Sequence, residues 1–350
     1  MSVVPPPSRI VVLTEGHSSV FYAKTAYSVI RYRRKEVMAL LDSTQAGKTS
    51  GELLGVGGDL PVIAGLTEVP EADTLVIGIG VHGGKFPETM RRHVLEAAER
   101  GMTIISGMHD FLSDDPDIAA AAEHSGARLW DVRKNHEHDV AEGKGLDETC
   151  YRMLTVGQDC SVGKMIVSIE IANELKKRGE DAKFVATGQT GIMVEGDGTP
   201  IDTVVADFIN GAAEKLVLRN QHHDILCVEG QGSILHPSYS SVTLGLLHGC
   251  RPDGLILCYE AGRQTIKGLD HLTLKDLKTY RRLYEDLATE LHPCTVIGVG
   301  MNSRQLNDDQ VADERKRVED ELQLPVCDVV RDGPGVLVDS VLEHKAAVGK

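Results

Sequence analysis

The stretch that decides the fold is LTVGQDCSVGKM, residues 154–165. An apolar run at 151–156 leads into a loop that opens at Gly157 and closes at Gly163 and Lys164, and a helical pattern follows to about Arg178. A strand, a glycine-rich loop and a helix in this order direct backbone N–H groups and the positive end of a helix dipole at one point, where a lysine adds a full charge. The sequence therefore predicts an anion-binding phosphate loop.

The spacing of this loop departs from the common pattern G-x4-G-K-[S/T]. Five residues separate its glycines, and Met165 stands where a magnesium-binding hydroxyl is expected. Ile166 and Val167 offer no hydroxyl either, and Ser168 lies about one helical turn further on. We expect the loop to hold a phosphate-bearing cofactor through these residues: Gly157, Gln158, Asp159, Cys160, Ser161, Val162, Gly163, Lys164 and Met165.

Apolar runs alternate with helical patterns along both halves of the chain, which predicts doubly wound parallel α/β sheets. A polar segment at 133–149 without periodicity marks a linker, so we predict two domains, 1–140 and 141–350. Predicted strands lie at 9–13, 37–41, 75–79, 103–105, 128–132, 151–156, 184–188, 224–228, 254–258, 294–299 and 326–330. Predicted helices lie at 87–100, 119–122, 164–178, 201–218, 241–249, 274–291 and 308–322.

Composition restricts the class of protein. The net charge of -15 would repel a nucleic acid backbone, so nucleic acid is not an expected partner. No apolar run approaches the length of a membrane span, and the amino terminus lacks the features of a signal peptide, so we expect a cytoplasmic protein without membrane contact. Seven cysteines without a C-x-x-C pair suit buried thiols in a reducing compartment. We expect no metal site, including at the run HEHD, 136–139.

Candidate catalytic residues follow the apolar strand 224–228. Glu229 stands where an acid could hold magnesium or take a proton, or simply cap the next segment. His236 lies in a loop rich in hydrogen-bonding side chains. Arg263 could grip a carboxylate or phosphate, or be a surface charge. The predicted catalytic residues are Glu229 and His236, and the predicted substrate contacts are Gln189, Gln231, Gly232, Ser238, Tyr239, Arg263, Gly83, Gly84 and Lys85.

Several stretches of the sequence carry a resemblance. The loop 157–164 is similar to the variant phosphate loop of dethiobiotin synthetases, and VEGQG at 228–232 resembles the acidic strand end of that superfamily. FVATGQTG at 184–191 with DTVVAD at 202–207, EGQGSILHPSY at 229–239 and VTLGLLHG at 242–249 resemble a two-domain family that includes D-glutamate N-acetyltransferases of the DgcN type. The resemblance implies a Rossmann-like domain followed by a phosphate-loop domain.

The resemblance also implies a reaction: transfer of an acetyl group from acetyl-CoA to the amine of D-glutamate or a related D-amino acid, in D-amino-acid catabolism. The absence of a hydroxyl at Met165 agrees, since the phosphates of CoA need anion contacts but no reacting γ-phosphoryl group. Two alternatives remain open: an ATP- and Mg²⁺-dependent ligase or kinase resembling dethiobiotin synthetase, and a nucleotide-binding module without turnover. We expect a small amino-acid substrate and a homo-oligomer, although no heptad pattern demonstrates one.

Overall fold

The structure is a computed structural model and describes residues 8–19, 21–80 and 84–350. The chain divides into two compact units. The first comprises residues 1–135 and a later segment, Gln189–Pro200, and the second comprises His136–Gly188 and Ile201–Lys350. The assignment of 1–140 and 141–350 to two domains stays a prediction.

The first unit contains a six-stranded sheet in which every neighbouring pair is parallel. Its elements are β1 (Ile10–Leu13), α1 (Lys24–Tyr32), β2 (Val37–Leu41), α2 (Ser50–Leu54), β3 (Val62–Ile63), β4 (Thr74–Ile77), α3 (Glu88–Glu99), β5 (Thr103–Ser106), α4 (Pro116–Ser125) and β6 (Arg128–Asp131). The strand order is β3-β2-β1-β4-β5-β6, which is the order of a Rossmann sheet.

The second unit contains another six-stranded parallel sheet and a small antiparallel hairpin. The remaining elements of the chain are β7 (Tyr151–Gly157), α5 (Lys164–Lys177), β8 (Ala182–Val185), α6 (Gln189–Glu195), α7 (Ile209–Asn220), β9 (Ile225–Val228), α8 (Ser240–Cys250), β10 (Gly254–Glu260), β11 (Thr265–Ile266), β12 (Leu269–Thr273), α9 (Leu277–Thr289), β13 (Thr295–Asn302), α10 (Asp308–Leu322), β14 (Val326–Cys327) and α11 (Gly335–Ala347). The strand order is β14-β13-β10-β7-β9-β8.

The strands are buried along their length because helices cover parallel sheets on both faces. All seven residues of β7 and all four of β9 are buried. These two strands pair directly, with Leu154 opposite Val228. The phosphate loop that follows β7 and the acidic segment that follows β9 therefore begin side by side, at the carboxyl edge where ligands of open α/β sheets bind.

The predicted architecture of two doubly wound parallel sheets is confirmed. One helix was predicted wrongly: 201–218 begins as two 3₁₀ turns, Ile201–Thr203 and Ala206–Phe208, before α7. Val205 between the turns is extended, with φ -59° and ψ 139°. Three β-branched residues in succession, 203–205, disfavour a continuous helix here. The elements α1, α2, α6 and α11 and the strands β3, β11 and β12 had not been predicted.

Among the described residues, none of the helices combines the length and the apolar character that crossing a membrane requires.

Candidate functional site

Two residues with positive φ angles shape the phosphate loop. Gly163, the residue before α5, has φ +108°, and Ser161 has φ +56°. Gly163 adopts its angle without a steric penalty, whereas Ser161 is a non-glycine residue in the left-handed region. The turn presents the N–H groups at the start of α5, which have no acceptor within the helix. The loop is therefore shaped to surround an anion at the positive end of a fourteen-residue helix.

Lys164 lies inside this loop, and its side chain is buried. Its Nζ donates to the carbonyl oxygens of Asp159, at 2.8 Å, and of Gly232, at 2.7 Å. Burial lowers the pKa of the Lys164 ammonium. The lysine thus ties the loop to the segment after β9.

The helix that follows offers no free hydroxyl near the loop. Met165 is half-buried and carries no oxygen. Ser168 is fully buried, and its Oγ donates to the backbone carbonyl of Cys227 at 3.0 Å. The first serine of the helix is thus engaged with the core strand β9, so it does not replace the hydroxyl that Met165 lacks.

Asp159 organises the first half of the loop. One carboxylate oxygen accepts from the N–H of Cys160 at 2.7 Å, and the other accepts from Arg263 Nη1 and from the N–H of Lys267, both at 2.8 Å. Arg263 also donates to the Cys160 carbonyl and forms an ion pair with Glu260. Its guanidinium therefore holds the loop in this structure, and its contact with a substrate carboxylate stays a prediction.

A cavity of about 420 Å³ opens beside Arg263. Gln158 borders it and donates from Nε2 to the carbonyl of Lys275 at 2.9 Å. The cavity wall carries side chains of both signs, including Glu260 and Arg317. This is a polar space next to the first residues of the phosphate loop.

Glu229 follows β9 and is 4% exposed. One of its carboxylate oxygens accepts from the N–H groups of Thr187 at 3.0 Å and Gly188 at 3.1 Å. Burial raises the pKa of Glu229 to about 7, although these amides and the side chain of Gln231 act in the opposite direction. A carboxyl group with such a pKa can hold or release a proton near neutral pH. Its catalytic role stays a prediction.

The glycines after Glu229 are required by close backbone contacts. A Cβ at Gly230 would lie 1.7 Å from the carbonyl oxygen of Thr155, and one at Gly232 would lie 2.2 Å from that of Tyr239. The N–H of Gly230 donates to Thr155 Oγ1 at 2.9 Å, so this amide is already engaged. Gln231 is half-buried, and its Nε2 donates to Thr187 Oγ1 at 3.2 Å.

His236 is 3% exposed and lies over the first half of the loop. Its Nδ1 accepts from the N–H of Ser238 at 3.1 Å, and its ring stacks against Tyr239 with centroids 4.7 Å apart. Its Nε2 is 4.0 Å from the nearest oxygen of Asp159 and has no hydrogen-bond partner among the described residues. Tyr239 is 44% exposed, so the stacked pair joins the buried loop to the surface.

Among residues 8–19, 21–80 and 84–350, one cluster of possible metal ligands is found, where His236 meets the phosphate loop. Asp159, Cys160 and His236 each offer an atom, and these atoms lie within 4.8 Å of one another. Burial raises the pKa of the Cys160 thiol, which opposes the thiolate form that binds metals. The HEHD run contributes to no such cluster, and Glu137 and Asp139 instead pair with Lys215.

Family models match both parts of the chain. Residues 139–338 match a model described as a domain of unknown function, DUF1611_C, a P-loop domain, and residues 43–135 match DUF1611_N, a Rossmann-like domain. The chain belongs to the DUF1611 family. The predicted order of a Rossmann-like domain and a phosphate-loop domain is confirmed.

Similar proteins cover most of this chain. A relative from Tritonibacter scottomollicae, named D-glutamate N-acetyltransferase, is 40% identical over 272 residues, which are 77% of this chain and 81% of the relative. A relative of the same name from Pseudoalteromonas sp is 37% identical over 276 residues, 78% of this chain and 81% of the relative. A crystal structure of a DUF1611 family protein from Anabaena variabilis ATCC 29413, 36% identical, has a TM-score of 0.90 and covers 96% of this chain and 99% of its own. The predicted family is therefore confirmed.

Four of the predicted substrate contacts belong to the first unit of the chain. Gln189 begins α6, and its Oε1 is buried without a hydrogen-bond partner among the described residues. Gly84 has φ +63° and accepts at its carbonyl from the N–H of His109. Lys85 is exposed. Gly83 lies outside the described residues. The roles of all four stay predictions.

Sequence reasoning missed the residues that hold the predicted ones in place. Thr187 accepts the Gln231 side chain, and its own hydroxyl donates to the Glu229 carbonyl. Thr155 in β7 accepts from Gly230, and Glu260 pairs with Arg263. Thr187 lies within the block FVATGQTG, whose position directly after a buried strand was the one available signal. Thr155 lies inside an apolar strand, where nothing in the sequence distinguishes it, whereas Glu260 is an acid at the end of the apolar strand β10, the kind of position that singled out Glu229.

Proposed function

We propose that this protein transfers the acetyl group of acetyl-CoA to the amine of a D-amino acid, with D-glutamate as the substrate. The relatives from Tritonibacter and Pseudoalteromonas, at 40% and 37% identity, are named D-glutamate N-acetyltransferase, and that name supports this proposal. The observation that carries the proposal in this chain is the phosphate loop itself. It retains its lysine and its glycines, and neither Met165 nor the engaged Ser168 supplies the hydroxyl that a magnesium nucleotide requires.

In the proposed site the loop 157–164 holds the phosphates of acetyl-CoA. The amides at the start of α5 supply hydrogen bonds, and Lys164 supplies charge. To reach a phosphate, the Lys164 ammonium would exchange the carbonyl oxygens of Asp159 and Gly232 for phosphate oxygens. This exchange is favourable because a charge-assisted bond to an anion is stronger than one to a neutral carbonyl.

The proposed chemistry is attack of the neutral amine on the thioester carbonyl. The amino acid enters as an ammonium ion, so a base must first remove a proton. Glu229 fits this task, since its pKa of about 7 leaves the carboxylate available near neutral pH and makes it a stronger base than an ordinary carboxylate. The amine nitrogen then bonds to the acetyl carbon, the carbon–sulfur bond breaks, and CoA leaves as a thiol after taking up the second proton from the nitrogen.

The carboxylates of the amino acid need cationic partners. Arg263 and Lys85 are the candidates that the sequence suggests. Arg263 is paired with Asp159 and Glu260, so it can contribute to a substrate carboxylate by sharing its remaining donors. We propose Gln231, Ser238 and Tyr239 as further substrate contacts, because their polar groups lie within two to ten residues of Glu229 on the same segment.

The test is thiol release from acetyl-CoA in the presence of D-glutamate, L-glutamate and a panel of other D-amino acids. Release with D-glutamate above the level with L-glutamate is expected, and mass spectrometry should detect the N-acetyl product. No release with any amino acid would refute the proposal. The variant to compare with the wild type is Lys164→Met, which lacks the phosphate contact. Its matched control is Lys177→Met, which changes an exposed lysine on the same helix. Magnesium-dependent ADP production would instead favour a ligase, and nucleotide binding without turnover would favour a binding module.

A further inference from the structure

The hydrogen bond at His236 Nδ1 decides which nitrogen of the ring carries the proton. The partner is the backbone N–H of Ser238, at 3.1 Å. A backbone N–H can only donate, so Nδ1 must present its lone pair and cannot carry a hydrogen. The neutral imidazole therefore has its proton on Nε2. Stacking against Tyr239 holds the ring in this orientation.

This arrangement excludes three roles that a buried histidine beside a cysteine and an aspartate suggests. A protonated Nε2 has no lone pair with which to ligate a metal together with Asp159 and Cys160. For the same reason it cannot take the proton of the Cys160 thiol or of a substrate ammonium. The lone pair that remains, on Nδ1, is occupied by the amide of Ser238.

The Nε2–H group lacks an acceptor within the part of the chain that the structure describes. It is buried, and the nearest carboxylate oxygen of Asp159 is 4.0 Å away, beyond hydrogen-bonding distance. That carboxylate is already occupied by the N–H groups of Cys160 and Lys267 and by Arg263. A buried donor without a partner is rare in folded proteins and calls for an acceptor from outside the chain.

We infer that His236 donates a hydrogen bond from Nε2 to an oxygen atom of the acyl donor bound at the phosphate loop. The inference rests on the proposed function for the identity of that ligand. The acceptor has the chemistry of a phosphate oxygen or of the thioester carbonyl oxygen, which becomes negative as the amine attacks. In either case His236 binds or activates the acyl donor, and the proton of the substrate amine goes to another group, for which Glu229 remains the candidate.

Two substitutions separate a donor from a base. In His236→Gln the side-chain amide nitrogen can reach the position of Nε2 and donate, but it cannot accept a proton. In His236→Asn the shorter side chain cannot reach that position. We expect the Asn variant to lose about 10- to 100-fold in acetyl transfer, and the Gln variant to remain within about tenfold of wild type. An equal and complete loss in both variants would overturn the inference. His271→Asn, at an exposed position of β12, is the control for handling and expression.

Titration with CoA distinguishes the two acceptors. If His236 contacts a phosphate, the Kd for CoA rises in the Asn variant and is restored in the Gln variant. If it contacts the thioester carbonyl, the Kd for CoA is unchanged and kcat alone falls. No change in either quantity would overturn the inference.

Nitrogen-15 NMR of the histidine rings in the free protein tests the tautomer directly. We expect His236 to carry its proton on Nε2, with the resonance assigned from its loss in the Gln variant. A proton on Nδ1 would overturn the inference. This measurement needs no turnover, so it stays informative even if the wild-type protein transfers no acetyl group, an outcome that would refute the proposed function instead.

Discussion

Replacing Glu229 by Gln should make the protein more stable at neutral and alkaline pH while it removes most of the activity. The carboxyl group is buried, and burial raises its pKa to about 7 from an ordinary value of 4.5. The folded protein therefore holds a proton that the unfolded chain has released between these two pH values. Gln is neutral at every pH, and its amide oxygen can accept from the N–H groups of Thr187 and Gly188 as the carboxylate does.

The magnitude follows from the difference between the two pKa values. Between pH 4.5 and 7 the native state binds one proton more than the unfolded state, so the wild-type free energy of unfolding falls by about 1.4 kcal/mol per pH unit. The contribution is fully present below pH 4.5 and is lost as the pH rises through 7. The complete loss is about 3 kcal/mol, and the part between pH 5.5 and 8.5 is about 2 kcal/mol. The unfolding free energy of Glu229→Gln should show neither of these losses.

The assay is urea unfolding of both proteins at several pH values from 5.5 to 8.5. The difference in unfolding free energy between variant and wild type should move by about 2 kcal/mol in favour of the variant across this range. A constant offset, from the changed contact with Gln231, does not affect the slope. Glu343→Gln, at an exposed position of α11, corrects for effects of buffer and pH on the whole chain. If the difference in unfolding free energy between variant and wild type does not vary with pH, the conclusion that buried Glu229 binds a proton in the folded protein is refuted.

Activity of the same variant tests the proposed base. Loss of a general base lowers kcat by roughly 10²- to 10⁴-fold. In the wild type kcat/KM should rise with pH and level off above about 7, as the Glu229 carboxyl loses its proton. A variant that is stabilised and still fully active would support the raised pKa of Glu229 but refute its role as the base, which would then belong to another group.

Three further substitutions test the loop and its surroundings. Lys164→Met should raise the Kd for CoA by about 10- to 100-fold in calorimetry, while Lys177→Met leaves it unchanged. Met165→Thr restores the hydroxyl of a standard phosphate loop and should tighten magnesium–ADP binding without altering CoA binding; equal nucleotide affinity in both proteins would contradict this. Gly230→Ala should cost about 3 kcal/mol of stability in thermal unfolding, because its Cβ would lie 1.7 Å from a backbone carbonyl oxygen. The control Gly335→Ala should stay near wild type, because the nearest atom to its Cβ would be 3.5 Å away.

The sheets could be predicted from the sequence because buried parallel strands are continuous apolar runs. The strands β2, β7, β9 and β10 each lie within one residue or two of the predicted bounds. The strand β3 contains only two residues, too few for any pattern to emerge. The helix α11 did carry a signal, since Leu337, Val338 and Val341 form its buried face, but an apolar helix of this kind is hard to distinguish from a strand by periodicity.

The site could be predicted as a set of loops at one sheet edge, but not as a set of contacts. Asp159 and Arg263 are 104 residues apart in the chain, and nothing in either neighbourhood indicates that they pair. Which ring nitrogen of His236 carries the proton likewise depends on the hydrogen bond from the Ser238 N–H to Nδ1, and the sequence does not specify the geometry of that turn. Such contacts depend on side-chain positions that only the folded backbone determines.

The position of Lys164 links the phosphate loop to the proposed base. Its Nζ bonds to the carbonyl of Gly232, three residues beyond Glu229 on the same segment. A phosphate that draws the ammonium towards itself must break this bond, and the freed segment can then adjust around the substrate. Binding of CoA should therefore speed hydrogen exchange at the amides of 231–234 in the wild type, although most ligands slow exchange near their site. Lys164→Met lacks the bond from the start, so CoA at saturating concentration should not speed exchange there, and slower exchange in the wild type would contradict the coupling.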